Sequence, residues 1–387
     1  MNLSRANLIL LVAAVALAVP TWLQLQRDGG AFTDVADIPL MFDGFTSDNV
    51  GSVLLAQPKA EQPQPDPTKV GQKPPVAYDQ LLLLRTDAGF QVAAPQGDLV
   101  GAPVSKDKVQ ADVFLHLGRI RSDKQTMVQP AATPEQLERY GLDEPHAFVI
   151  QVKDLANKNA VAELLIGKNS DEGQTGTEAI RGVYVRKGGT TDVVLYEFEQ
   201  DTKMWRRDVQ PAGWVDKLLF RLEPTAVTYL SIRNTAGGAK PFVFVKKDGK
   251  ASWVADPKPE GAGYENLGAV RQTEVESVVQ RLRYVAAQDF RLPMARAGNL
   301  TALGLGPAQI ELQARWKEGD VEREVTLEIG NKLDGKNEYY LSCSLSQFLM
   351  TWPASLIAPL ERDPREFFDP AAAPVEQKED KDGKDGK

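Results

Sequence analysis

The chain holds a single cysteine and two histidines among 387 residues. One thiol, Cys343, allows no intrachain disulfide and no lipid-modified cysteine after an N-terminal signal, which fits a bacterial envelope protein. Its neighbours Tyr339-Tyr340-Leu341-Ser342 read as a strand, so Cys343 is expected to be buried and structural. His116 and His146 with Cys343 have no recognisable zinc spacing, and no Gly-x-Ser-x-Gly elbow provides the usual serine hydrolase arrangement. Gly188-Gly189 and Gly237-Gly238 sit in hairpins without a following Gly-Lys-Ser/Thr, so no nucleotide loop is legible. Basic excess is lacking too. With 45 Lys and Arg against 53 Asp and Glu, net −8, the chain has no clustered cationic surface for phosphate backbones. No cofactor, metal or nucleic acid is therefore expected. Carboxylate chemistry stays open, because a pair of acids at glycosidase separation is invisible in one dimension.

Charge is also missing from Ala6 to Gln26, where Leu8 to Val19 forms an apolar run behind Arg5. That is either a secretory signal or an uncleaved anchor. Pro20 lies just beyond the cleavage-like Ala16-Leu17-Ala18, and Trp22-Leu23 extends the apolar segment, which favours one transmembrane helix with Arg5 inside. The expected address is the inner membrane, single-pass, with the bulk of the chain extracytoplasmic. The organisation expected is a cytoplasmic start and anchor over 1–27, a linker over 28–39, folded parts over 40–221 and 222–369, and a disordered charged tail over 370–387.

The folded parts are punctuated by one arrangement that occurs twice. Tyr140-Gly141-Leu142-Asp143-Glu144-Pro145 precedes Ile166-Gly167, and Leu303-Gly304-Leu305-Gly306-Pro307 precedes Ile329-Gly330; the glycines are 26 positions apart in both (167 − 141 and 330 − 304). Thr133-Pro134-Glu135-Gln136 has the form of a capping box with proline at the first helical position, and Gly141 closes the short helix. Asn299 is expected to cap the matching helix that ends at Gly304. Around these motifs run a hairpin with a proline-rich loop (57–75), a helix from Ser105 carrying Val109, Val113 and Leu117 on one stripe, and alternating strands such as Phe148-Ile150-Val152. The same order returns after Val227, with Thr273-Glu274-Val275-Glu276 expected to open the second helix. The fold class expected is α+β: two tandem repeats, each a mostly antiparallel sheet with a covering helix and a short capped helix, after one transmembrane helix.

The Tyr-Gly-Leu-Asp-x-Pro turn, the strand ending Leu164-Leu165-Ile166-Gly167, the strand Val183 to Arg186, and the repetition behind an anchor resemble the bacterial family known as domain of unknown function 4340. The resemblance covers roughly Leu40 to Asp369 in two copies. It implies no activity and no catalytic residue. It implies a context, an accessory of an ABC-type export system of the kind linked to gliding motility. The second copy departs from the pattern at Gly306-Pro307 and at Ser342, so any role of Asp143 or Arg186 belongs to the first copy alone. Candidate interaction residues are Asp143, Arg186, Trp205 and Trp214, although tryptophans at such places more often fill cores. The expected partners are the membrane, through 6–26, and envelope or ABC-transporter proteins. The function expected is non-enzymatic binding or assembly; the alternatives are a carboxylate-dependent enzyme acting on cell-wall glycan and a purely structural spacer.

Overall fold

Strict alternation forces one face of a strand inward, and β5 (Phe148–Asp154) follows it: Phe148, Ile150 and Val152 are buried while Val149, Gln151 and Lys153 are not. In β16 (Ile310–Glu318), Ile310, Leu312, Ala314 and Trp316 are buried between less buried Glu311, Gln313 and Arg315. The computed structural model describes residues 39–63, 74–93, 97–123, 126–170, 182–197, 207–234, 241–247, 252–257 and 267–370. The expected span at 6–26 and the tail beyond Pro370 lie outside these residues. Among the described residues no helix is long and apolar enough to cross a membrane.

The first sheet also contains β1 (Val50–Pro58), β2 (Tyr78–Thr86), β3 (Gly89–Val92), β4 (Met127–Gln129), β6 (Ala160–Asn169), β7 (Gly182–Lys187) and β8 (Val193–Glu197). Its order is β3-β2-β1-β5-β6-β7-β8-β4. After β9 (Leu218–Arg221) come β10 (Val227–Asn234), β11 (Phe242–Lys246), β12 (Trp253–Ala255), β13 (Leu267–Val270), β14 (Tyr284–Ala286) and β15 (Asp289–Pro293). β17 (Val321–Lys332), β18 (Glu338–Cys343), β19 (Phe348–Pro353) and β20 (Phe368–Pro370) follow β16. The second sheet has the order β12-β11-β10-β16-β17-β18-β19-β15. Each sheet is therefore a three-stranded meander set beside a four-stranded one, with a short strand on the far edge. Pairing is antiparallel, as in β1–β5, β5–β6 and β6–β7 of the first and β10–β16, β16–β17 and β17–β18 of the second. Two small ribbons, β13–β20 and β9–β14, stand apart from the sheets.

The chain divides into two compact units, one drawn from 1–79 and 110–207, the other from 80–109 and 208–387. In the first, Ala132, Leu142, Ala147, Leu165 and Val193 form a buried cluster against which Leu137, Tyr140, Val149 and Tyr184 pack. Burying one leucine such as Leu142 contributes about 2 kcal/mol. In the second, Phe244 packs on Phe367 and Phe368 at ring-centroid distances of 5.5 and 5.9 Å, and Trp253 and Trp352 are buried.

Helices are few among the described residues, and two of the expected ones need correction. The helix expected after Ser105 forms as one run over 106–117 with Val109, Val113 and Leu117 buried; its middle, Gln110–Phe114, is wound as a π turn between α turns at Lys106–Val109 and Leu115–Leu117. The second helix starts at Gln272 and runs to Arg281 with no side-chain cap, so Thr273 is not its N-cap. Gln272 sets that start: its amide accepts from Trp253 N (2.6 Å) and donates to Trp253 O (2.9 Å), closing the edge of β12 like one residue of another strand. Asn299 to Gly304 forms hydrogen-bonded turns rather than a helix, although Asn299 Oδ1 does accept from Ala302 N at 3.2 Å.

Candidate functional site

The helix Pro134–Tyr140 opens on the capping box: Gln136 N donates to Thr133 Oγ1 (3.4 Å) and Thr133 N donates to Gln136 Oε1 (2.8 Å). It closes at Gly141, whose φ of 67° is the left-handed conformation a side chain would strain. Leu142 N then donates back to Leu137 O at 2.8 Å, which drives the Leu142 side chain into the core and turns the next three residues outward.

Gly167 explains the spacing of 26. A Cβ on Gly167 would collide with the Tyr140 carbonyl oxygen and come within 2.9 Å of Leu142 Cγ. The strand glycine thus lets the helix cap lie directly on the sheet. Gly330 does the same for the Leu303 carbonyl and for Leu305, whose Cγ would be 3.0 Å away. Beside each strand glycine the ladder slips by one residue, between Ile166 and Asn169 in β6 and between Ile329 and Lys332 in β17. Two glycines 26 apart are one contact seen twice.

What differs is the turn seated on that contact. In the first unit Asp143, Glu144 and Pro145 face a cleft of about 560 Å³ together with Gln62, Pro74, Pro75, Val76, Pro134, Glu135 and Glu138. His146 Nδ1 lies 2.8 Å from Asp143 Oδ1, an ion pair whenever the imidazole is protonated. Tyr78 donates its hydroxyl to Glu144 O at 3.0 Å, and partial burial, then the charges of Glu144 and Asp143, push its pKa up. The amide of Glu135 and the Thr133 hydroxyl hold the Glu135 carboxylate below its ordinary value. From behind, Arg186 Nε donates to Leu142 O and its Nη1 to Thr190 O, both at 2.9 Å, tying the β7–β8 hairpin to the turn. Partial burial lowers the Arg186 pKa, against the opposing charges of Glu163, Glu144 and Asp143; it remains a cation.

In the second unit the corresponding Leu305-Gly306-Pro307-Ala308 carries no carboxylate, and Ser342 replaces the arginine. Thr301 Oγ1 donates to Gly306 O at 2.8 Å, and Asn331 Nδ2 donates to Ala302 O at 2.9 Å. Neutral side chains brace that turn.

Of the four candidates, Asp143 and Arg186 meet on either side of Leu142. Trp214 is 1% exposed and donates Nε1–H to Asp208 O at 2.7 Å, so it fills the core of the second unit and offers no surface to a partner. Trp205 lies outside the described residues. Sequence reasoning missed Glu135, Glu138 and Glu144 as wall residues and Tyr78 as a brace on the Glu144 carbonyl; the signal was the proline pair at 74–75, which stands beside them. Cys343 is buried in β18 and its thiol pKa is raised by that burial. Among the described residues no group of His, Cys, Asp and Glu is placed to hold a metal ion. The cleft is acidic, with Glu135, Glu138, Asp143 and Glu144 in its lining, and walled by Pro74, Pro75, Pro134 and Pro145.

A family model described as "Domain of unknown function (DUF4340)" matches residues 100–305, just over half of the 387-residue chain. No curated protein and no solved structure matches the chain.

Proposed function

The chain belongs to the family described as domain of unknown function (DUF4340), and from that premise we propose that it is a membrane-anchored, extracytoplasmic, non-enzymatic binding and assembly protein. Its place is that of an accessory of an ABC-type envelope transport system, held to the inner membrane by 6–26. The observation that carries the binding role is the cleft at the Leu142–Pro145 turn. Its walls are fixed by backbone and side-chain hydrogen bonds from Thr133, Tyr78 and Arg186, and its carboxylates face outward. Surfaces that hold a partner are built this way, preorganised so that little ordering is lost on association.

The architecture that presents this surface is two tandem α+β repeats, 40–221 and 222–369, each with a covering helix. The shared strand order, the paired glycines and the matching bulges support that reading. Duplication left one turn polar and the other neutral, so the binding role rests on the first repeat.

The test is chemical crosslinking in intact membranes followed by purification of the full-length protein, of a form lacking residues 6–26, and of Glu138→Lys/Glu144→Lys. The full-length protein is expected to bring down a membrane complex. The other two lose it, the double variant by about tenfold through like-charge repulsion in the cleft. Absence of any partner, combined with turnover of cell-wall glycan by the soluble form, would replace this reading with the enzymatic one.

A further inference from the structure

We draw no further inference here: the strongest candidate, the proline-walled cleft lined by Gln62, Pro75, Glu138 and Glu144, belongs to the site already described and rests on a cluster of carboxylates with no second observation to say what fills it.

Discussion

Gly167 and Gly330 have no room where a methyl group would go, and this separates them from glycines kept for conformation alone. Gly319, at φ +62°, has nothing within 4 Å of the place a methyl group would occupy, so Gly319→Ala meets only the left-handed backbone penalty, about 1 kcal/mol. Gly167→Ala and Gly330→Ala must push a helix cap or turn off the sheet, and we expect about 2–3 kcal/mol each. Urea unfolding of the three variants checks the ranking; equal losses at 319 and 167 would remove the close approach as the reason for the spacing. His116 supplies a second residue-scale expectation. It is 4% exposed, its Nδ1 lies 3.0 Å from Tyr196 Oη, and burial, with the charge of Arg119, lowers its pKa to about 4. A folded-state pKa below the unfolded one means that the unfolded chain takes up the proton first. Stability is full above about pH 6.5 and falls as pH drops toward 4, by about 3 kcal/mol in all. Unfolding midpoints at pH 7 and pH 4.5 measure that slope, and His116→Gln should flatten it.

At the scale of elements, the two motif turns show one seat braced by different chemistry. Arg186 joins a hairpin to the turn through two carbonyls, which predicts that Arg186→Gln destabilises the first unit by about 1–3 kcal/mol. Amide exchange should quicken at Leu142 to Ala147 and stay unchanged across β16 and β17; unchanged exchange at the turn would show that the guanidinium braces nothing. Local signals were the ones legible in sequence. The capping box at Thr133, the left-handed Gly141 and the alternation of β5 each depend on residues a few positions apart, and each formed as read. The Thr273 box failed because a contact 19 residues away took precedence, Gln272 binding the backbone of Trp253 and starting the helix early. The Asn299 helix failed because the residues between cap and glycine closed as turns instead. Short edge strands β4 and β15 gave no pattern, being defined by the neighbour they join rather than by their own alternation.

Across the whole molecule, the family and the mostly antiparallel α+β architecture were legible because short turn and strand signals mark them out. The cleft was not, since Gln62 and Val76 reach Glu138 and Glu144 only through the folding of strands far apart in sequence. Candidate residues divided accordingly: Asp143 and Arg186, singled out because the second motif lacks them, stand at the turn, whereas Trp214, singled out as an aromatic, went to the core. The proposed binding of a partner at this cleft is tested by site-specific photo-crosslinking in native membranes from position 138, with position 318 on the exposed β16–β17 hairpin as control. Binding at the cleft should give a discrete adduct from 138 that disappears with Glu144→Lys, and none from 318. An adduct from 318 alone, or the same adducts from both positions, would contradict it.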